Sequence, residues 1–158
     1  MITTTGTMLK TFIDLFAGVG GFRYVLEKMG LTCLLSSEID DKASAVYQLN
    51  YNSYPCGDVT KLAKDDVPEA DILCAGFPCQ AWSNAGEMRG FADPRGMLFF
   101  EIPRIAVLCR AKVLLLENVP ALLSKRNRKA FAAIVGALNA AGYEVQYTII
   151  DACGWVPQ

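Results

Sequence analysis

With 158 residues the chain is long enough for one domain with a sizeable core and too short for two ordinary ones. Hydrophobic residues make up 53% and charged residues 20%, a balance that suits a parallel sheet buried on both faces. The net charge of -1 excludes a global basic field, so any contact with nucleic acid must be local or supplied elsewhere.

In chain order, Met1 to Thr11 is threonine-rich and lacks the apolar stretch of a secretory signal, and no apolar run approaches the roughly 20 residues of a membrane span. Phe12–Phe16 reads as a short apolar strand, Ala17–Gly21 as a glycine turn, and Phe22–Met29 as an amphipathic helix stopped by Gly30. Thr32–Ser37 is a second strand ending in Glu38-Ile39-Asp40, followed by a helix from Asp41 to about Asn50. Cys56–Val59 is expected as a third strand, Asp71–Ala75 as a fourth, Val113–Leu116 as a fifth and Glu144–Ile150 as a sixth. Helices are expected at Met97–Cys109 and Lys125–Ala141, the latter stopped by Gly142. Strand-helix alternation with short links implies a mostly parallel, doubly wound sheet with right-handed crossovers. Pro103 falls inside the expected Met97–Cys109 helix and should kink it unless a helix restarts there. The loop Ala81–Gly96, rich in glycine, exceeds the usual length of a connection and reads as a lid.

The six cysteines, Cys33, Cys56, Cys74, Cys79, Cys109 and Cys153, include no Cys-x-x-Cys pair, and histidine is absent, so the spacing of a metal site is missing. Their irregular placement points to a reducing, cytoplasmic setting rather than a disulfide framework. Cys79 differs from the others because it follows Pro78 in a turn at the end of the fourth strand, where open α/β sheets bind ligands. Taken alone, it reads as readily as a small buried hydrophobe.

Three further features carry chemistry. Phe16-Ala17-Gly18-Val19-Gly20-Gly21 lies between strand and helix, and Glu38 ends the next strand, placed to accept hydrogen bonds from ribose hydroxyls. A dinucleotide fingerprint would want glycine where Arg23 stands, so a nucleoside without pyrophosphate fits better than NAD or FAD. Asp58 either reaches the base of such a ligand or is a solvated turn aspartate. Glu117 ends the apolar run Leu114-Leu115-Leu116 beside Asn118; a carboxylate there either shares a proton with a substrate or merely precedes a helix cap. Parallel strands bring their carboxyl ends to one cleft, so Glu117 and Cys79 can face the same molecule. Lys125-Arg126-Asn127-Arg128-Lys129 is a basic run opening a helix; it is read first as a solvated face, with phosphate contact as the alternative, whereas the lid arginines Arg89 and Arg95 are read first as phosphate contacts.

Asp14-Leu-Phe-Ala-Gly-Val-Gly-Gly-Phe-Arg23, Ser37-Glu38-Ile39-Asp40, Gly57-Asp58-Val59, Gly76-Phe-Pro-Cys-Gln80, Arg89-Gly-Phe-Ala-Asp-Pro-Arg-Gly96, Leu98-Phe-Phe-Glu-Ile102 and Glu117-Asn-Val119 resemble, in order and spacing, the motifs of the cytosine carbon-5 DNA methyltransferases. The Phe-Pro-Cys-Gln form is closer to the DNA-modifying branch than to the tRNA-modifying relatives. The resemblance implies a Rossmann-like fold of the S-adenosylmethionine-dependent methyltransferase type, incomplete in this chain, with 1–158 forming the N-terminal part of the catalytic domain. It implies methyl transfer from S-adenosylmethionine to carbon 5 of a flipped cytosine in double-stranded DNA, in a bacterial or phage restriction-modification system, releasing S-adenosylhomocysteine without a metal. Cys79, Glu117 and Asn118 would be catalytic. Phe16, Gly18, Gly20, Gly21, Glu38, Ile39, Asp58, Val59, Pro78 and Leu98 would touch the cofactor, and Gln80, Ser83, Arg89 and Arg95 the DNA. The family continues beyond the counterpart of Gln158 with an arginine-bearing strand, a target-recognition domain and a late cofactor motif. The expectation is therefore a catalytic front half, completed by its missing part or by a second subunit and inactive alone. The alternative is a noncatalytic module that binds cofactor or partner without turnover; a nucleotide-dependent oxidoreductase is disfavoured by Arg23 and the lack of histidine.

Overall fold

The computed structural model describes residues 3–4, 7–80, 91 and 93–154. Two very short strands, β1 (Thr3–Thr4) and β2 (Thr7–Met8), form an antiparallel pair. The main sheet comprises β3 (Thr11–Leu15), β4 (Thr32–Ser37), β5 (Ile72–Gly76) and β6 (Val113–Glu117), all parallel, in the spatial order β4-β3-β5-β6.

Side chains of a strand alternate between faces, and the apolar sequence of β3 and β5 satisfies both. Ile13, Leu15, Leu73 and Ala75 pack with Ile102, Ile105, Ala106 and Cys109 of α4 (Glu101–Cys109) and with Ile134 and Leu138 of α5 (Arg128–Ala140). Phe12, Ile72 and Cys74 turn the other way, against Leu26 of α1 (Gly21–Lys28) and Leu31. Helices thus cover both faces, as expected of a doubly wound sheet. Chain order reverses between β3 and β5, which opens a crevice at their carboxyl ends.

α2 (Asp41–Tyr51) starts where Asp40 accepts a bond from the Ala43 N–H at 2.8 Å. The expected helix over Met97–Cys109 is three pieces: α3 (Pro94–Met97), a 3-10 turn at Leu98–Phe100, and α4. α4 restarts at Glu101, so Pro103 lies in its first turn, where its missing N–H costs nothing. The end of the expected lid is this helix, with Asp93 accepting from the Arg95 N–H at 2.9 Å; residues 81–90 lie outside the described residues.

Two expected strands do not form. At Cys56–Val59, the Cys56 N–H reaches the Ser36 carbonyl at 2.8 Å, but Gly57 turns left-handed (φ 86°) and its carbonyl accepts from Ser37 Oγ. Asp58 then caps a 3-10 turn at Val59–Lys61, so the segment leaves the ladder after one bond. Glu144–Ile150 has strand-like alternation but pairs with no described strand; Tyr147 stacks edge-on against Phe131, and Ile149 and Ile150 face outward.

Candidate active site

The carboxyl ends of β5 and β6 adjoin, with Gly76 paired in register with Glu117. A Cβ at Gly76 would lie 3.4 Å from Glu117 Oε2, in ordinary contact, which puts the carboxylate beside the strand end. The turn Phe77-Pro78-Cys79 is held from two sides. Phe77 is buried edge-on against Phe99 at 5.3 Å, and Asn118 donates through Nδ2 to the Phe77 carbonyl at 2.8 Å while its Oδ1 accepts from the Val119 N–H. Asn118 is thus a brace between the strand bearing Glu117 and the turn bearing Cys79, rather than a cap on the next helix. Cys79 is half-buried in that turn.

The opposite wall is built at the ends of β3 and β4. Phe16 (φ 54°) and Gly18 (φ 56°) are left-handed, and the Ala17 N–H reaches across to the Ser37 carbonyl. Glu38 Oε2 accepts from the Gly18 N–H at 2.8 Å, and Oε1 accepts from the N–H groups of Ile39 and Asp40, each at 2.8 Å. This carboxylate therefore ties the glycine turn to β4. Gly20 has φ 92° and lies under Tyr51: the Tyr51 hydroxyl donates to the Gly20 carbonyl at 2.6 Å, and a methyl group there would sit 2.2 Å from the ring. Asn50 Nδ2 also donates, to the Val19 carbonyl, at 3.1 Å. The third side is the Asp58–Thr60 turn, which Arg104 of α4 holds by donating to the Val59 and Leu62 carbonyls, both at 2.9 Å.

Between these walls lies a cleft of about 550 Å³. Phe16, Glu38, Ile39, Asp58, Val59, Pro78, Cys79, Gln80, Leu98, Glu117 and Asn118 line it, together with Ser37, Gly57, Thr60, Gly76, Phe77 and Val119. Gly18, Gly20 and Gly21 shape the turn without lining the cleft, and Arg95 is paired with Asp93 (2.6 Å) away from it. Ser83 and Arg89 lie outside the described residues. Thr60 binds one oxygen of Asp58 by both its N–H and its hydroxyl, holding that carboxyl below the usual range.

Directly beneath the turn, Asp14 is fully buried in β3, and neither oxygen has a hydrogen-bond partner among the described residues. Burial pushes its carboxyl up to about 7, Glu38 adds to the rise, and the guanidinium and backbone N–H of Arg23, short of hydrogen-bond geometry, draw it part of the way back. Arg23 itself spans Glu27 (2.7 Å), the Tyr47 hydroxyl (3.2 Å) and the Tyr51 ring (4.6 Å). Burial also raises the Cys33 thiol to about 11 and the Cys74 thiol higher still, so neither is a nucleophile at neutral pH. Arg104, Tyr51 and Asp14 carry no local pattern that announces these contacts; only the carboxylate inside an apolar strand signals Asp14.

The fold is thus an open parallel α/β sheet with a cleft at its strand ends, Glu38 and Asp58 on one side and Cys79, Glu117 and Asn118 on the other. Residues 10–158 match the C-5 cytosine-specific DNA methylase family, and the chain belongs to that family. It is 43% identical over 148 residues to the type II methyltransferase M.HhaI of Haemophilus parahaemolyticus, covering 93% of this chain and 45% of that protein. It is 45% identical over 142 residues to M.BsuFI of Bacillus subtilis, covering 90% of this chain and 35% of that one. The fold is shared with the Entamoeba histolytica methyltransferase EhMeth at a TM-score of 0.66 and 20% identity, over 85% of this chain and 44% of that one. The chain spans less than half the length of these relatives.

Proposed function

We propose that this chain is the cofactor-binding and nucleophile-bearing part of a DNA cytosine-5 methyltransferase of a restriction-modification system, acting in the cytoplasm on double-stranded DNA. The observation that carries this reading is the convergence of Cys79, Glu117 and Asn118 with Glu38 and Asp58 on one cleft. The donor set fits S-adenosylmethionine: Glu38 keeps acceptor capacity beyond its three N–H bonds, Asp58 engages Thr60 through one oxygen, and Phe16, Ile39, Val59 and Leu98 offer apolar faces to a planar base. When bound, that cofactor supplies an electrophilic methyl group.

The chain's own groups would act on a cytosine flipped into the cleft. The Cys79 thiolate adds to carbon 6, and Glu117 engages ring nitrogen 3 and the exocyclic amine, so negative charge delivered by sulfur makes carbon 5 nucleophilic. Once carbon 5 has taken the methyl group, loss of its proton to water and expulsion of the Cys79 thiolate would restore the ring. Asn118, through its bond to the Phe77 carbonyl, keeps the two groups in register, and Gln80 lies at the rim. Ser83, Arg89 and Arg95 stand as proposed DNA contacts. The span of the relatives supports further polypeptide, contiguous or separate, as the source of base reading and of the rest of the pocket. The exposed Leu115, Ile149 and Ile150 offer it an apolar seat. In the enzyme assembled with that part, Cys79→Ala is expected to abolish both methyl transfer and the covalent adduct with 5-fluorocytosine DNA; an adduct that persists refutes the assignment.

A further inference from the structure

We propose that the basic run Lys125–Lys129 is a docking surface for the phosphate backbone of duplex DNA, on the strand-end side of the sheet that carries the catalytic cleft; this rests on the reading of the cleft as a DNA methyltransferase site. The run is peculiar in a chain with 16 acidic and 15 basic residues, because no acidic residue occurs between Glu117 and Glu144. Lys125, Arg126, Arg128 and Lys129 are all exposed, and none forms an ion pair with a described residue. Elsewhere Arg23, Arg95, Arg104, Arg110 and Lys112 are each matched to a carboxylate, whereas Lys10, Lys28, Lys42, Lys61 and Lys64 are unmatched among the described residues but scattered, so it is the clustering of four unmatched cations that sets the run apart. These four charges are therefore uncompensated by the fold.

They are also placed against the fold's interest. Cations at a helix N-terminus oppose the helix dipole, and α5 has no acidic residue in its first turn and no side-chain cap from Asn127. Its first N–H groups and four cations thus all favour an anion at the same place. Asn127 instead donates to the Ala121 carbonyl at 2.9 Å, and the Asn127 N–H reaches the Ser124 carbonyl at 3.0 Å. These bonds fasten the basic turn to the 3-10 turn Pro120–Leu123, whose Leu122 is buried in the core. That turn directly follows Glu117, Asn118 and Val119 of the cleft wall. A crossover helix begins beyond the carboxyl end of its strand, so the run lies toward the end of the sheet at which the cleft has its mouth, bonded to the turn that follows the cleft wall. Evenly spaced anions outside that mouth are what a duplex presents when one of its bases enters. The net charge of -1 leaves such local patches as the source of attraction.

The test is the salt dependence of duplex binding by the 158-residue chain, followed by fluorescence anisotropy between 50 and 200 mM salt. Each phosphate neutralised contributes about 0.9 to the slope of log affinity against log salt. Replacing all four cations by glutamine (K125Q/R126Q/R128Q/K129Q) is expected to flatten that slope by up to about 3.6 and to weaken binding at 100 mM salt at least about tenfold. K42Q/K64Q, which removes two exposed lysines elsewhere, is expected to leave the slope nearly unchanged. The fourfold variant should melt no lower than the parent, since charge opposing the helix dipole is relieved. An unmoved slope, a per-charge effect matched by K42Q/K64Q, a parent that binds no duplex at 50 mM salt, or a slope that moves only with single-stranded RNA would each overturn the proposal. Calorimetry with S-adenosylmethionine on the enzyme assembled with its further polypeptide separates the two readings: absence of cofactor binding there strikes the methyltransferase reading, whereas an unmoved slope with cofactor binding intact strikes only this one.

Discussion

Asp14→Asn isolates the energetic cost of the buried carboxyl beneath the glycine turn. The side chain is fully buried, without a hydrogen-bond partner among the described residues, and its carboxyl is raised from 3.8 to about 7. Below the unfolded value both states hold the proton and the group is neutral in its effect. Between 3.8 and about 7 the unfolded chain ionises while the native state keeps its proton, so native stability falls as pH rises; above about 7 the full cost is present. At about 1.4 kcal/mol per pH unit that cost reaches roughly 4 kcal/mol. Asparagine has the same shape and does not titrate, and its amide is as poorly partnered as the protonated acid. The other carboxylates titrate alike in both proteins and cancel in the difference. From pH 5 to pH 8 the stability advantage of the variant should therefore grow by about 3 kcal/mol, or roughly 6–12 °C in melting temperature. Parallel thermal melts across this range measure it. A constant gap would show that Arg23 neutralises the aspartate charge, and a variant less stable at pH 8 would show that the ionised form is favoured by the fold.

Glu38→Ala is expected to weaken S-adenosylmethionine binding roughly ten- to a hundredfold by calorimetry, the equivalent of about 1.5–3 kcal/mol for a charge-assisted hydrogen bond. It should also speed amide exchange at Gly18, whose N–H it accepts at 2.8 Å; unchanged affinity removes it from the cofactor site. Gly20→Ala should cost about 2–3 kcal/mol in urea denaturation, combining the strain of a non-glycine residue at φ 92° with the Tyr51 contact. Gly18→Ala, at φ 56° with open space around it, should cost about 1–2 kcal/mol, and equal losses would mean that Tyr51 simply swings away. Arg104→Met should cost about 1.5–3 kcal/mol and loosen the Asp58–Thr60 turn, and Arg104→Lys should rescue little of it because an ammonium cannot fork to both carbonyls. Full rescue by lysine would make the loss one of charge rather than geometry.

The parts of this architecture legible in sequence are those set by local pattern. β3, β4, β5 and β6 each lie within a residue of the expected positions because apolar runs bounded by glycine and polar residues leave little choice. The meeting of Cys79 and Glu117 was equally accessible, since parallel neighbouring strands must end together. Local apolarity misled at Cys56–Val59, where Gly57 and Asp58 are turn residues whose preferences prevail once Arg104 and Ser37 take the Val59 and Gly57 carbonyls. It misled again at Glu144–Ile150, where alternation without a paired edge makes no ladder. The braces Asn118 to Phe77, Arg104 to Val59 and Tyr51 to Gly20 join residues 41, 45 and 31 positions apart, a separation at which periodicity carries no information.

These braces share one arrangement. Glu38 joins the end of β4 to the glycine turn after β3, and Asn118 joins the end of β6 to the turn after β5, so each binds neighbours on its own side of the point where chain order reverses. Beyond the paired strands, no hydrogen bond among the described residues connects 16–21 with 76–80. Among the described residues the two walls are joined through the sheet below and through apolar packing, Phe16 lying against the core cluster that holds Phe77 and Phe99. A ligand touching Glu38 on one side and the Pro78-Cys79 turn on the other supplies the missing cross-connection, and binding the folded state alone at a hundred times its dissociation constant adds about 2.7 kcal/mol to stability. On the proposed reading, cofactor binding and the placement of Cys79 would be coupled through the cleft: a ligand that draws the glycine wall toward the Pro78-Cys79 turn would also fix the position from which the thiolate meets the base.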